Sequence, residues 1–275
     1  NTYPIFVRIN PHIYAGGNHK ISTGHIDSKF GISIHQLRHI ERVMKSTNLL
    51  IEGLHMHTGS EIKDADVFLQ GLDIMFELAE HFPDLKYLDM GSGFKVPYQE
   101  GDLETDVKTL GKKVEKAISD YQKETGRKFQ LWFEPGKYLV SESGHFLVKS
   151  NVIKQTTATV FVGINSGFNH LIRPMFYDSY HKIENLTNAK GAERIYTVVG
   201  NICETDTFAW DRKLNEVREN DVLVFRNAGA YGFEMSSNFN SRLKPAEVLF
   251  LDEKAHLIRK RDEFEDLLRN QIEVL

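Results

Sequence analysis

Three short apolar runs in this chain each break into a polar turn: Gly53-Leu54-His55-Met56-His57-Thr58-Gly59-Ser60, Leu88-Asp89-Met90-Gly91-Ser92-Gly93-Phe94 and Trp132-Phe133-Glu134-Pro135-Gly136-Lys137. The intervals between them carry helix-like sequence. Repeated strand, loop and helix, with chemistry at each strand's carboxyl end, is how a parallel α/β barrel builds its active site.

Strand candidates fall at residues 5–9, 50–57, 87–90 and 129–134, each closed by Gly, Asn or Pro. Residues 33–46, 64–81 and 103–124 show helical periodicity, and Gly126 ends the last of them. Four βα units are therefore expected, about half of a barrel whose eight units take roughly 250 residues. After Gly136 the texture changes to β-branched and aromatic runs at 148–162, 193–199, 221–227 and 246–251, with helix again at 262–271. The expected fold class is α/β plus β: the second half of a TIM-type (β/α)8 barrel, then a mostly antiparallel β domain, sandwich or barrel. The domains are expected at 1–141 and 142–275, joined near 138–145. Half a barrel would leave parallel edges unpaired. A first residue Asn1 followed at once by a core-like strand adds the expectation of further chain upstream.

The net charge of −4, with no basic stripe, argues against nucleic acid. Cys203 is the sole cysteine, which excludes an internal disulfide and a cysteine-rich zinc site and fits a reducing compartment. No apolar run approaches the roughly 20 residues that span a bilayer. The expectation is a soluble, cytoplasmic protein with no membrane partner.

His55 and His57 are two apart on a strand and so share a face. His55, deeper in the strand, reads as a core histidine. A metal pair would need further ligands at later strand ends, which offer Glu134 and no histidine, so no metal is expected. His57, at the strand tip, suits a flat cofactor ring. Gly91-Ser92-Gly93 lacks the third glycine of a dinucleotide fingerprint, since Val96 stands there. It reads as a tight turn whose backbone N–H groups can face a phosphate, with the Ser60 hydroxyl nearby. A carboxylate at Glu134, ending so apolar a strand, is expected to be desolvated and to face a cation such as a pyridinium nitrogen. Pro135 restricts the backbone there, Gly136 allows close approach of a ligand, and Lys137 is available for an anion.

Taken together with Thr23-Gly24, Ser28-Lys29-Phe30-Gly31, Asn169-His170-Leu171-Ile172-Arg173-Pro174, Tyr177, Cys203-Glu204, Gly229-Ala230-Tyr231-Gly232 and residues 235–242 followed by Pro245-Ala246-Glu247, these segments resemble the diaminopimelate decarboxylases. These are alanine-racemase-like, fold-type III pyridoxal phosphate enzymes. The resemblance implies removal of a carboxylate from meso-2,6-diaminopimelate to give L-lysine, with pyridoxal 5′-phosphate as cofactor. It implies that Glu134 pairs with the pyridine nitrogen, that His57 stacks on the ring, that Ser60, Gly93 and the Gly136-Lys137 turn surround the phosphate, and that Gly91 and Pro135 also line the cofactor. Arg173, Tyr177 and Lys137 would hold substrate carboxylate, and Tyr231 would touch cofactor and substrate together. Cys203 would return a proton to carbon and Glu204 would accept the distal ammonium, both from the neighbouring subunit of a homodimer with shared active sites.

The chain departs from that pattern in three places. Lys137 stands where arginine is usual, which replaces a guanidinium fork by a point charge. Asn165 stands where aspartate is usual, ahead of Ser166-Gly167-Phe168. The cofactor-bearing lysine, expected on the first barrel strand, has no counterpart here. An ornithine, arginine or carboxynorspermidine decarboxylase, a noncatalytic binding protein, and a metal-dependent barrel hydrolase remain open as alternatives.

Overall fold

Parallel strands need a crossover between them, and the helical intervals supply it. In the computed structural model, which describes residues 3–13, 24, 26 and 28–274, strands β1 (Phe6–Asn10), β3 (Gly53–His55), β4 (Tyr87–Asp89) and β5 (Gln130–Trp132) lie side by side and parallel. A short strand β2 (Ile32–Ser33) lines the outer side of β1, giving the order β2-β1-β3-β4-β5. Thr23, one of the residues carrying the resemblance, lies outside the described residues.

Helices α1 (Leu37–Thr47), α2 (Ala65–Ala79) and α3 (Val107–Thr125) fill the intervals. The Asp64 carboxylate caps α2 by accepting the Asp66 N–H at 2.9 Å. Helix α3 starts at Val107 and not at Leu103, because Asp106 accepts the Lys108 and Thr109 N–H groups and so satisfies the first free donors. Gly126, at φ 75°, closes α3 in the left-handed region. The expected fourth βα unit is incomplete: among the described residues β5 is followed only by the four-residue α4 (Lys137–Val140), after three complete βα units. Pro135 and Gly136 interrupt any helix that would start at the end of β5.

Register decides which face each side chain takes. Leu54, Leu88 and Leu131 form one rung and pack with Leu72, Met75, Phe82 and Leu110, and of these Leu54, Leu72, Met75, Phe82 and Leu88 are fully buried. The alternate rungs face the other way. One is Phe6, Gly53, Tyr87 and Gln130; the next is Arg8, His55, Asp89 and Trp132. A Cβ on Gly53 would sit 2.4 Å from the Phe6 ring, so the glycine lets that ring lie across the sheet against Tyr87 and Trp132, with centroids 5.6 and 5.1 Å away.

The chain divides into two compact units, one ending at Leu139 and one starting at Val140. The second unit holds a six-stranded sheet of β6 (Phe146–Gln155), β7 (Val160–Ile164), β8 (Ile183–Asn185), β9 (Glu193–Val199), β10 (Thr207–Asn215) and β11 (Val222–Phe225), in the order β10-β9-β7-β6-β11-β8. Its pairings are antiparallel apart from β7 with β9, which run parallel. Residues 148–162, one run in the sequence, fold as the hairpin of β6 and β7. Val162, Val198, Leu223 and Phe225 are fully enclosed apolar side chains of the six-stranded sheet. A separate hairpin pairs β12 (Glu247–Leu251) with β13 (Lys254–Arg259), and short helices α5 (Arg173–Tyr177) and α6 (Phe264–Leu268) complete the unit. Among the described residues no helix is long and apolar enough to cross a membrane.

Since Leu88 is wholly enclosed between β4 and the helices, Leu88→Ala is expected to cost about 2–5 kcal/mol. Urea unfolding of the two proteins side by side measures it.

Candidate active site

The rung of Arg8, His55 and Asp89 lies at the carboxyl-terminal side of the parallel sheet, and the chain beyond each strand adds to it. Glu134 follows β5 by two residues, and its N–H donates to the Gly91 carbonyl at 2.7 Å. This brings its carboxylate to the turn after β4. Glu134 Oε2 stands 3.4 Å from His55 Nε2, without hydrogen-bond alignment. His55, Asp89 and Glu134 each present a polar atom within 4.8 Å of the others. The expected desolvation of Glu134 is not what the fold produces: its side chain is 55% exposed, because Trp132 and Glu134 stand on the open face of the sheet while the apolar rung lies on the other. Asp89, not Glu134, is the enclosed carboxylate. Burial pushes its pKa up, the Gly91 N–H on Oδ1 at 2.8 Å opposes this, and the Glu134 charge raises it further.

His57 lies beyond β3 on the same side. Its Nδ1 accepts the Ser92 N–H at 3.2 Å, so the neutral ring carries its proton on Nε2. Burial first, then the charges of Arg8 and His55, lower its pKa to about 4, with Glu134 pulling the other way. A metal reading would therefore draw on His55, Asp89 and Glu134, not on the pair His55 and His57, whose Nδ1 is engaged. Arg8 and Asp89 are site residues that the sequence reading passed over as strand residues. The signal that finds them is the period of two counted back from His55 and Glu134 along paired strands.

The glycines close the turns. Gly91 and Gly93 adopt φ of 63° and 114°, and a Cβ on Gly93 would meet the Gly59 carbonyl oxygen at 2.3 Å. The N–H of Ile62 donates to the Gly93 carbonyl at 2.8 Å, which stitches the Ser60 loop to the Gly93 loop. Gly136 differs, since a Cβ there would meet no atom within 4 Å. Lys137 is not the freely available cation expected from the sequence: its side chain is only 9% exposed and its ammonium pairs with Glu61.

In the second unit, Arg173 and Tyr177 sit four apart on α5, with the guanidinium 5.8 Å from the phenol ring centre and Nη2 3.4 Å from Ser179 Oγ. Arg173 is buried and not an ordinary surface arginine. Cys203 is exposed; its thiol lies 3.4 Å from a Glu204 carboxylate oxygen, and the Asn240 amide donates to its sulfur at 3.7 Å. Tyr231 is half exposed with φ of 58°. Asn165 ties β7 to β6 through its side-chain oxygen, which accepts the Lys149 N–H at 2.8 Å.

The sequence profile described as pyridoxal-dependent decarboxylase, pyridoxal binding domain, matches residues 1–141. A diaminopimelate decarboxylase of Methanothermobacter thermautotrophicus is 35% identical over 276 residues, covering 97% of this chain and 64% of that protein. A solved diaminopimelate decarboxylase superposes with a TM-score of 0.89 at 34% identity over 96% of this chain and 66% of the other. The Helicobacter pylori diaminopimelate decarboxylase complexed with L-lysine superposes with a TM-score of 0.85 at 31% identity, over 97% and 66% of the two chains. The chain thus spans slightly less than two thirds of the length of these proteins.

The lowered pKa of His57 has a signed consequence. Between its ordinary value of 6.5 and about 4 the unfolded chain binds a proton that the folded site refuses, so stability falls as pH drops through that window. Proton NMR is expected to show the ring, identified by its loss in His57→Gln, still neutral at pH 5, and urea midpoints to fall more steeply from pH 6.5 to 4.5 in the parent than in the variant.

Proposed function

The chain belongs to the pyridoxal-dependent decarboxylase family, and from that premise we propose that the full-length protein converts meso-2,6-diaminopimelate to L-lysine, the last step of lysine biosynthesis. The carrying observation is the meeting of neutral His57, the Gly91 and Gly93 turn and the Glu134 carboxylate at successive ends of β3, β4 and β5. Two carboxylates, Asp89 and Glu134, face one another there beside His55, with the Arg8 guanidinium near enough to act on Glu134, and a cationic N–H is a group that such a pair accepts. A Cβ at Gly136 would meet no protein atom within 4 Å, and Gly93 lets the turn after β4 pass close to the Gly59 backbone. These features fit pyridoxal phosphate.

That cofactor supplies a protonated ring which takes up the electron pair left when a carboxylate departs. Glu134 holds the proton at the ring nitrogen. His57, neutral across the working pH range, covers the ring face without adding a competing charge. Ser60, Gly93 and the Gly136-Lys137 turn surround the phosphate, and Gly91 and Pro135 also line the cofactor. Arg173 and Tyr177 bind substrate carboxylate, a role suited to a guanidinium fork beside a phenol. Tyr231 would touch cofactor and substrate together. Glu204 accepts the distal ammonium, and Cys203 gives the proton that replaces the lost carboxylate.

On this reading residues 1–141 form the second half of a (β/α)8 barrel and residues 142–275 a β domain that supplies substrate-binding and dimer-interface residues, in a cytoplasmic homodimer. The relationship to a diaminopimelate decarboxylase solved with L-lysine supports the choice of substrate over ornithine or arginine.

The full-length protein loaded with pyridoxal phosphate is expected to release carbon dioxide and L-lysine in equal amounts from meso-diaminopimelate. Glu134→Gln and Cys203→Ser should each lower that rate on the order of 100-fold while the protein stays folded. Absence of lysine from a folded, cofactor-loaded protein defeats the assignment, as does activity that tracks a stoichiometric metal by elemental analysis and vanishes with a chelator.

A further inference from the structure

Lys137 at the start of α4, Glu61 in the loop after β3, and Lys95 and Asp102 in the loop between β4 and α3 form one connected set of charges. The Lys137 ammonium pairs with one oxygen of Glu61, and Lys95 Nζ takes the other at 2.8 Å. Lys95 also reaches Asp102 Oδ2 at 2.9 Å, and that oxygen accepts the Tyr98 N–H at 3.2 Å. All four side chains are largely enclosed, with the two lysines 9% exposed and Glu61 21%. Each of the two enclosed ammonium groups thus meets a carboxylate, as enclosure demands.

Glu61 is built to stay where it is. Its backbone stands at φ of 66°, a region a long side chain rarely occupies without a reason in its surroundings. Its neighbour Ile62 is fixed on both sides: the N–H donates to Gly93, and the carbonyl accepts the Thr105 hydroxyl at 2.6 Å. Thr105 in turn accepts the Lys95 N–H at 2.7 Å. The carboxylate that meets Lys137 is therefore anchored to the same turn that carries Gly93.

A guanidinium orients itself on an anion through its planar fork, whereas an ammonium on a four-carbon stem does not. We propose that Glu61 is a positioning residue, which holds the Lys137 ammonium at the Gly136 opening and so gives a lysine the fixed direction an arginine would have there by itself. The ligand it serves is an oxygen anion, either the cofactor phosphate or a substrate carboxylate. The inference rests on the proposed function for the presence of such a ligand.

The test uses the full-length protein and spectroscopic titration with pyridoxal phosphate, with pyridoxal, which lacks the phosphate, and with L-lysine on the loaded protein. Glu61→Gln is expected to weaken pyridoxal phosphate about ten-fold and pyridoxal little, and Glu61→Gln with Lys137→Arg to regain most of the loss. Unchanged binding of both pyridoxal forms with a restorable loss for L-lysine supports the same role toward the carboxylate. Glu61→Gln should add no loss once Lys137→Gln is present. Unaltered affinity for all three ligands, a loss that Lys137→Arg leaves in place, or an equal loss in the Lys137→Gln background overturns the inference while the cofactor assignment stands. Failure of the parent protein to bind pyridoxal phosphate overturns that assignment and the inference with it. If Glu61→Gln does not fold by circular dichroism, Glu61→Asp, which keeps the charge and withdraws it by one methylene, carries the same readout.

Discussion

The period of two along hydrogen-bonded strands is the constraint from which the first unit follows. Once Leu54, Leu88 and Leu131 occupy one rung, Arg8, His55 and Asp89 must occupy the next, facing away from the helices. A slip of one residue in β3 or β4 would drive a histidine or an aspartate among Leu72, Met75 and Phe82. The apolar contacts that stabilise the sheet thus also fix the address of every polar group at its carboxyl end. Stability and site geometry are set by one register.

Much of this was legible in the sequence because it is local. Short apolar runs ending in Gly or Pro mark strands, and Asp64 marks the start of α2 as an N-cap should. The reading failed where the deciding partner is distant. The run 50–57 pairs only over Gly53–His55, since parallel pairing stops where β4 stops. Leu103 looked like part of a helical stripe, yet it is exposed and the cap is Asp106. The hairpin of β12 and β13 turns through Asp252 and Glu253, both with positive φ, a pair that carries no Asn-Gly signal.

The same distinction divides the candidate site. His57, Gly93 and Glu134 announce themselves because each stands at the end of its own strand. The set of Glu61, Lys95 and Lys137 does not, as its members lie 34 and 76 residues from Glu61 and meet only after three loops have folded against one another. Lys137 illustrates the cost of reading a residue singly: alone it is a cation awaiting an anion, but in place it is already paired with a carboxylate. Arg173 is the reverse case, since nothing in the local run Ile172-Arg173-Pro174 shows that its side chain is enclosed.

The parallel pairing of β7 with β9 has a consequence for what can be cut from this protein. Two strands that point the same way cannot be joined by a tight reversal, so the chain between Ile164 and Glu193 has to travel the length of the sheet before re-entering it. Helix α5 and strand β8 ride on that journey. Excision of the stretch down to a hairpin loop would force one of the two strands to run backwards, whatever its side chains preferred. Arg173 and Tyr177 are thereby protected from loss by deletion, since the topology itself needs the length of chain that bears them.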